Sequence, residues 1–201
     1  IYVDPYGGAQ AYAGLAAPDL ILITDIHGDH LDPKTLAGLA TGKALMVVPK
    51  AVAEQLPAEY KARVRILANG QQLDTLGLRV AAIAMYNLPE AADAPHPKGR
   101  GNGYLLKLGG KTVYLSGDTE DTAEMRALQD VDVAFVCMNL PYTMDVNQAA
   151  QGVLAFKPGI VYPYHYRGQN GLSDVNSFKQ TVNSANKKID VRLRNWYPAA
   201  Q

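Results

Sequence analysis

The chain lacks several features that would assign it to particular classes of protein. Its 19 Lys and Arg residues only balance its 19 Asp and Glu residues, whereas binding to nucleic acid phosphates needs a basic excess. No apolar run approaches the roughly 18 residues of a membrane-spanning helix. We therefore expect a soluble protein with no membrane span and no nucleic acid partner.

Cysteine is almost absent as well. Cys137 is the single cysteine of the chain, which excludes an internal disulfide. It lies in the apolar segment VDVAFVCMN. A lone cysteine in such a segment packs as a small hydrophobic residue more often than it acts as a nucleophile. We therefore expect Cys137 to be buried.

Short apolar runs alternate with helical segments along the chain, which favours a single α/β domain over residues 1–201. Helix N-caps are predicted at Asp32, Asp145 and Ser173, and Gly-containing turns indicate hairpins. Two sheets between helices would fit this pattern, but the order of the strands stays open. The predicted strands are 19–24, 44–49, 64–67, 71–75, 78–86, 103–108, 111–116, 131–139, 159–164 and 189–197, and the predicted helices are 30–40, 50–56, 119–129, 145–156 and 173–185.

The four histidines are the most informative residues, because each lies in a predicted loop near the end of a strand. The segment TDIHGDHLD follows the strand 19–24 and holds Asp25, His27, Asp29 and His30. Imidazole and carboxylate groups are suited to zinc, manganese or iron. Four such groups in six residues exceed what one tetrahedral ion usually takes from a segment, so two metal ions are expected.

Three more candidates follow later strands. Asp118, in the turn SGDT, could bridge two cations; the alternative is that Asp118 or Thr119 caps the next helix. His165, in YPYHY, and His96, in APHPKGR, could each be a ligand; the alternatives are a structural histidine and a flexible surface loop.

These motifs resemble the metallo-β-lactamase superfamily, whose signature is H-x-H-x-D-H after a strand, then a lone His, an Asp in a G-D-T turn and a final His. His27, Asp29 and His30 match the end of the first motif, and the lone His, the Asp and the final His match His96, Asp118 and His165. The resemblance implies a four-layer αββα sandwich. It also implies that the first N-terminal strands precede Ile1, which agrees with the absence of an initiator Met or leader. A cytoplasmic or a periplasmic location therefore stays open.

Within the superfamily, the chain is most similar to the branch that includes L-ascorbate-6-phosphate lactonase. The similarity is carried by AMYN (84–87), HPKGRGNGYLL (96–106), YLSGDTEDT (114–122), NLPYTM (139–144) and YPYHY (162–166). One departure is clear, because Asp25 stands where the signature has its first His. A carboxylate there would make that metal site richer in oxygen, which favours manganese or iron more than a three-His site does.

The resemblance implies two divalent metal ions per chain, with zinc expected first and manganese or iron as alternatives. One ion would be bound by Asp25, His27 and His96 and the other by Asp29, His30 and His165, with Asp118 as the bridge. The expected function is hydrolysis of a lactone, ester or phosphoester by a hydroxide between the two ions, with Asp29 and Asp118 as the catalytic carboxylates.

The substrate is expected to be a small, anionic molecule. Candidate substrate-binding residues are Tyr86, Asn87, Lys98, Arg100, Tyr142 and Tyr166. Two alternatives stay open: a non-catalytic metal-binding protein, and a di-iron redox protein. The oligomeric state does not follow from the sequence.

Overall fold

The computed structural model describes residues 1–39 and 41–197. In these residues, four parallel strands form a first sheet in the order β1-β2-β3-β4. The central strands β2 and β3 are short, apolar and largely buried, as expected where a parallel sheet is covered on both faces, whereas the edge strand β4 contains Arg65 and is mostly exposed. The strands are β1 (Tyr2–Val3), β2 (Leu20–Leu22), β3 (Leu45–Val48) and β4 (Val64–Ile66).

Seven strands form a second, mixed sheet in the order β13-β10-β9-β8-β7-β6-β5. Strands β5 to β8 are antiparallel neighbours, whereas β8, β9, β10 and β13 run parallel. They are β5 (Gln72–Thr75), β6 (Leu78–Met85), β7 (Gly101–Leu108), β8 (Lys111–Leu115), β9 (Val133–Cys137), β10 (Ile160–Tyr164) and β13 (Asp190–Val191). A separate hairpin pairs β11 (Arg167–Gly168) with β12 (Gly171–Leu172).

The alternation of side chains along β2 builds two of the layers. Leu20 and Leu22 pack between the sheets with residues such as Tyr104, whereas Ile21 packs on the outer face with Leu36. The outer face of the first sheet carries α1 (Pro33–Gly38) and α2 (Lys50–Gln55); the second sheet is covered by α3 (Ala123–Arg126), α4 (Val146–Phe156) and α5 (Val175–Ala185). The αββα sandwich expected from the resemblance is confirmed.

The capping predictions have mixed outcomes. Asp32 and Asp145 cap α1 and α4 as expected, through backbone N–H groups of the following turn. Ser173 was the wrong choice for α5: Asp174 accepts from Asn176 and Ser177, while the Ser173 hydroxyl donates to a backbone carbonyl.

Two predicted elements are shorter in the structure. The helix predicted over 119–129 spans only Ala123–Arg126, because its first residues are bound to the loop after β6 and Thr122 is the N-cap. The strand predicted over 189–197 pairs only at Asp190–Val191, since the following residues leave the sheet. The hairpin β11–β12 was not predicted.

Candidate metal centre

All four histidines lie in loops at the carboxyl ends of strands. Asp25 to His30 follow β2, His96 lies in the long loop after β6, Asp118 follows β8, and His165 follows β10. Each strand points its carboxyl end at the same region, as is usual for functional sites of α/β proteins. His165 adopts a left-handed backbone with φ of 45°, a conformation that non-glycine residues adopt mostly where the surrounding structure holds them.

Two glycines allow the loops of the two sheets to meet. A Cβ on Gly101 would lie 2.8 Å from the carbonyl oxygen of Thr24, and a Cβ on Gly117 would lie 2.5 Å from Met85 Sδ. Gly117 also has φ of +62°, which disfavours any side chain. Close approach at these positions brings Asp118 next to the loop that follows β2.

The first cluster joins Asp25, His27 and His96, whose ligand atoms all lie within 4.8 Å of one another. Asp25 Oδ2 is 3.2 Å from His27 Nδ1 and 4.0 Å from His96 Nε2. Asp25 is fully buried, whereas the His27 side chain is 42% exposed. This cluster therefore opens to solvent on the His27 side.

The second cluster joins Asp29, His30 and His165 within the same 4.8 Å limit. Asp29 lies 3.8 Å from His30 Nε2 through Oδ1 and 3.3 Å from His165 Nε2 through Oδ2. His30 is buried, but the Asp29 side chain is 48% exposed. Asp29 is therefore the member of this cluster that is most exposed to solvent.

Asp118 lies between the two clusters. Its Oδ2 is 3.4 Å from both His30 Nε2 and His96 Nε2, and its Oδ1 is 3.3 Å from His165 Nε2. The helix cap weighed as its alternative role is formed by Thr122 instead. The carboxylate of Asp118 is therefore available to both clusters.

Polar atoms of this region lack hydrogen-bond partners. Within residues 1–39 and 41–197, six buried side-chain atoms have none, and four of them are His30 Nε2, His96 Nε2, His165 Nε2 and Asp118 Oδ1. Buried polar atoms without partners are rare and costly. Two donors bound at about 2.0–2.1 Å to one tetrahedral zinc ion lie about 3.3–3.4 Å apart, which is the separation between Asp118 and the three imidazoles. The donor set therefore fits divalent metal ions.

Two groups behind the histidines orient the rings. Asp4 Oδ2 lies 2.9 Å from His30 Nδ1, and Asn87 Oδ1 lies 3.2 Å from His96 Nδ1. Because both oxygens are acceptors, each Nδ1 carries a hydrogen, and each Nε2 is the ring nitrogen left to bind a metal ion at the centre. Asp4 is itself held by the backbone N–H and hydroxyl of Thr24.

The charges of the centre shift its pKa values. Burial would lower the pKa of His30, but the carboxylates of Asp118 and Asp4 hold that pKa well above its usual range. His165 behaves similarly: burial is outweighed by Asp118 and Asp29, and its pKa rises to about 9. Burial would raise the pKa of Asp118, yet the neighbouring histidines hold it well below its usual range. The carboxylate of Asp118 therefore favours positive charge beside it, as a bound cation would supply.

Arg100 occupies a position that the sequence did not indicate. Its guanidinium donates two hydrogen bonds to the Asp25 carboxylate, from Nε to Oδ1 at 3.0 Å and from Nη2 to Oδ2 at 2.7 Å. The pair is bidentate and its carboxylate is fully buried. The Asp25 carboxylate therefore faces both Arg100 and the histidines of the first cluster. Among the described residues, no lysine or arginine forms such an ion pair with Asp29 of the second cluster.

The other predicted substrate-binding residues have varied surroundings. The Tyr86 hydroxyl donates to Glu124, and Lys98 Nζ lies 3.0 Å from Glu90 and 3.1 Å from Glu124. Asn87 is buried and donates to the Tyr142 carbonyl, and Tyr166 is buried with its hydroxyl donating to the Arg194 backbone carbonyl. Tyr142 has a side chain that is 42% exposed. Binding of substrate by these six residues stays a prediction.

Cys137 is fully buried, and burial raises the pKa of its thiol to about 11. A thiol with such a pKa is almost entirely protonated near neutrality and is a weak nucleophile. The expected packing role is confirmed.

Sequence reasoning missed Asp4. A signal was present, because Asp4 directly follows the strand at the start of the chain, and carboxyl ends of neighbouring parallel strands share one edge of the sheet. The pairing of Asp25 with Arg100 had no local signal, since 75 residues separate them.

Comparison with known proteins places these features in a family. Residues 1–165 match the family model described as a β-lactamase superfamily domain. The chain is 31% identical to a UPF0173 metal-dependent hydrolase of Pyrococcus horikoshii, over 90% of this chain and 84% of the relative.

Solved structures agree with this assignment. A candidate metal-dependent hydrolase from Parabacteroides distasonis is 35% identical with a TM-score of 0.84, over 97% of this chain and 84% of that chain. A metallo hydrolase from Ignicoccus hospitalis is 25% identical with a TM-score of 0.74, over 96% of this chain and 83% of that chain.

No helix in the described part of the chain has the length and apolar character to cross a membrane. The family is shown by the matches above. The chain therefore belongs to the β-lactamase superfamily, as one of its metal-dependent hydrolases.

Proposed function

We propose that this chain hydrolyses a lactone, an ester or a phosphoester of a small molecule, with two divalent metal ions as cofactors. The observation that carries the proposal is the convergence of His30, His96, His165 and Asp118, whose buried polar atoms lack hydrogen-bond partners. Hydrogen-bond networks built for stability alone rarely leave such atoms unpaired.

The two clusters divide the ligands. Asp29, His30 and His165 would hold one ion, Asp25, His27 and His96 would hold the other, and Asp118 would be shared. Such ions supply a nucleophile at neutral pH by acidifying water, and they stabilise negative charge on a carbonyl or phosphoryl oxygen. The imidazole and carboxylate donors suit zinc, with manganese or iron as alternatives.

The protein residues supply orientation and proton handling. Asp4 and Asn87 fix the His30 and His96 rings with Nε2 towards the centre. Asp29, the carboxylate of the second cluster, has a side chain that is 48% exposed and is positioned to accept a hydrogen bond from water that enters the site. Asp118 places a negative charge between the clusters, where it would be shared by the two cations.

The first test is metal content and turnover of the purified protein. We expect about two equivalents of metal per chain. The protein should hydrolyse at least one substrate in a panel of p-nitrophenyl esters, aliphatic lactones and bis-p-nitrophenyl phosphate. Metal bound without turnover of any of these would favour a non-catalytic binding protein.

The Asp118→Asn variant gives the matched test. Loss of the shared carboxylate should reduce the bound metal to about one equivalent or less and lower turnover by at least about 100-fold, because metal ligation and charge stabilisation are both lost. Asp74→Asn is the control, since Asp74 pairs with Arg79 on the exposed β5–β6 hairpin. Equal metal content in Asp118→Asn and the parent would contradict the shared-ligand role.

A further inference from the structure

A cavity of about 590 Å³ is lined by all three residues of the second cluster, Asp29, His30 and His165. Most of its other lining residues are apolar or aromatic, and they include Tyr6, Leu115, Phe135, Trp196 and Tyr197. Its volume falls in the range of small-molecule sites, which are commonly apolar with a few polar groups that orient the ligand. This geometry is that of a binding pocket joined to the metal centre.

Contacts within the protein hold the aromatic residues that line the cavity in place before any ligand binds. Trp196 Nε1 donates to the Pro163 carbonyl at 2.9 Å, and the Trp196 ring meets Phe135 edge to face at 6.4 Å between centroids. Tyr197 packs edge to face on Tyr166, at 5.0 Å between centroids. A preorganised wall of this kind avoids the entropy cost of ordering side chains on binding.

Among the described residues that line this cavity, Arg167 is the one lysine or arginine. Its guanidinium lies over the Tyr197 ring, with Cζ 4.2 Å from the centroid. In residues 1–39 and 41–197, no Asp or Glu oxygen lies within 4.0 Å of it, whereas Lys98 and Arg100 are both paired with carboxylates. A stacked guanidinium keeps its N–H groups available for an anion in a bidentate geometry.

Backbone hydrogen bonds hold the hairpin β11–β12, which carries Arg167. The backbone N–H of Gln169 donates to the Leu140 carbonyl at 2.9 Å, and the Ser173 N–H donates to the Tyr166 carbonyl at 2.8 Å. Gly168 allows the hairpin to lie directly on Leu140, because a Cβ there would be 2.0 Å from the Leu140 oxygen. Arg167 is therefore held at the cavity by the fold.

We propose that this cavity binds the organic part of the substrate, and that the substrate carries an aromatic or similarly bulky apolar group together with a carboxylate or other anion that pairs with Arg167. The inference rests on the proposed function, since metal bound at the second cluster would act on a bond of the substrate that this cavity holds. It assigns the anion-binding role to Arg167 and not to Lys98 or Arg100, the two cations among the residues predicted to bind substrate, because both are paired with carboxylates.

Trp196 provides a direct test, because it is the only tryptophan of the chain and its side chain lines the cavity. The probe is 3-phenylpropionate, titrated into chelator-treated protein while tryptophan fluorescence is recorded. We expect a saturable change with 3-phenylpropionate. Binding of 3-phenylpropanol, which lacks the charge, and of propionate, which lacks the ring, should each be about tenfold weaker, as for one lost charge-assisted contact or one lost ring.

Variants assign the charge preference to one residue. In Arg167→Gln the acid and the alcohol should bind about equally, Arg167→Lys should keep part of the preference, and Arg65→Gln should keep all of it. Arg65 is a suitable control because it is exposed on β4 and bonded only to the adjacent Val64 carbonyl in the described structure. Circular dichroism would verify that each variant is folded.

Three outcomes would overturn the inference: no saturable change, equal binding of the acid and the alcohol by the parent protein, or a preference that survives in Arg167→Gln. Since the titration uses metal-free protein, failure of the metal-dependent hydrolysis would not alter its result. Conversely, metal binding and turnover without this selectivity would leave the proposed function in place and remove the pocket assignment.

Discussion

At the scale of single residues, the centre depends on groups that do not themselves face its interior. Asp4 is the clearest case, because its carboxylate joins Thr24 to His30 and so sets both the tautomer and the angle of that ring. Partners of this kind raise the basicity of a ligating imidazole and commonly matter as much as a direct ligand.

We predict that Asp4→Asn weakens the affinity for zinc by about 10- to 100-fold. The amide keeps the size of the side chain but loses the charge that favours Nδ1–H on His30. Competition with a chromophoric chelator would measure the affinity, with Asp74→Asn as the surface control. An unchanged affinity in Asp4→Asn would mean that His30 is oriented by Thr24 alone.

A second prediction concerns Arg100. Removal of this guanidinium leaves the Asp25 carboxylate fully buried without its bidentate partner, a change that costs about 3 kcal/mol or more. Arg100→Gln should therefore lower the free energy of unfolding of the metal-free protein, as measured by urea denaturation.

Added zinc should restore part of that loss, because a cation beside Asp25 replaces the missing positive charge. Arg65→Gln serves as the control for removal of an exposed arginine. If zinc leaves the stability difference between Arg100→Gln and the parent unchanged, Asp25 does not face a metal ion.

At the scale of elements, the hairpin β11–β12 connects the metal centre to the aromatic cavity. It follows His165 directly and is pressed against the loop after β9 at Gly168. The conformation of this hairpin therefore influences the positions of both His165, just before it, and Arg167.

We predict that Gly168→Ala lowers the free energy of unfolding by about 1–3 kcal/mol, the usual range for overpacking. The added Cβ would lie 2.0 Å from the Leu140 oxygen, and backbone has little freedom to move away. Thermal denaturation would measure the effect. Gly42→Ala is the control, since a Cβ there meets nothing within 4 Å; equal stability of both variants would contradict the prediction.

At the scale of the whole molecule, the sandwich brings separate loops together, so a metal ion bound between them should stabilise the complete fold. Asp25 to His30 follow a strand of the first sheet, whereas His96, Asp118 and His165 follow strands of the second. A ligand that binds only the folded state adds about 2.7 kcal/mol at a free concentration of 100 times its Kd.

We therefore expect removal of metal by a chelator to lower Tm by about 5–10 °C for a domain of this size. Differential scanning calorimetry of protein with and without chelator would measure the shift. The Asp118→Asn variant should show a much smaller shift. A Tm that does not respond to chelator would argue against a metal ion that joins the two sheets.

The sequence by itself determined the parts that depend on neighbouring residues. The strand order along the chain, the caps at Asp32 and Asp145, and the location of every histidine in a loop all follow from short-range patterns. The family signature also predicted the two groups of candidate metal ligands, whose side chains lie together in the structure. Helix caps were harder to predict where a side chain has another partner. Ser173 is an example, because its hydroxyl donates to the Met138 carbonyl, which is distant in sequence.

Only the tertiary structure decided which charges meet. Asp25 finds Arg100 across 75 residues, His30 finds Asp4 across 26, and the cavity joins Phe135 with Arg167 and residues near the end of the described chain. Such contacts depend on the order of strands in the two sheets, which no local pattern encodes. The sequence therefore indicated which residues are candidate metal ligands. The side chains that pair with them, such as Arg100 and Asp4, and the cavity beside them are determined by the packing of the two sheets.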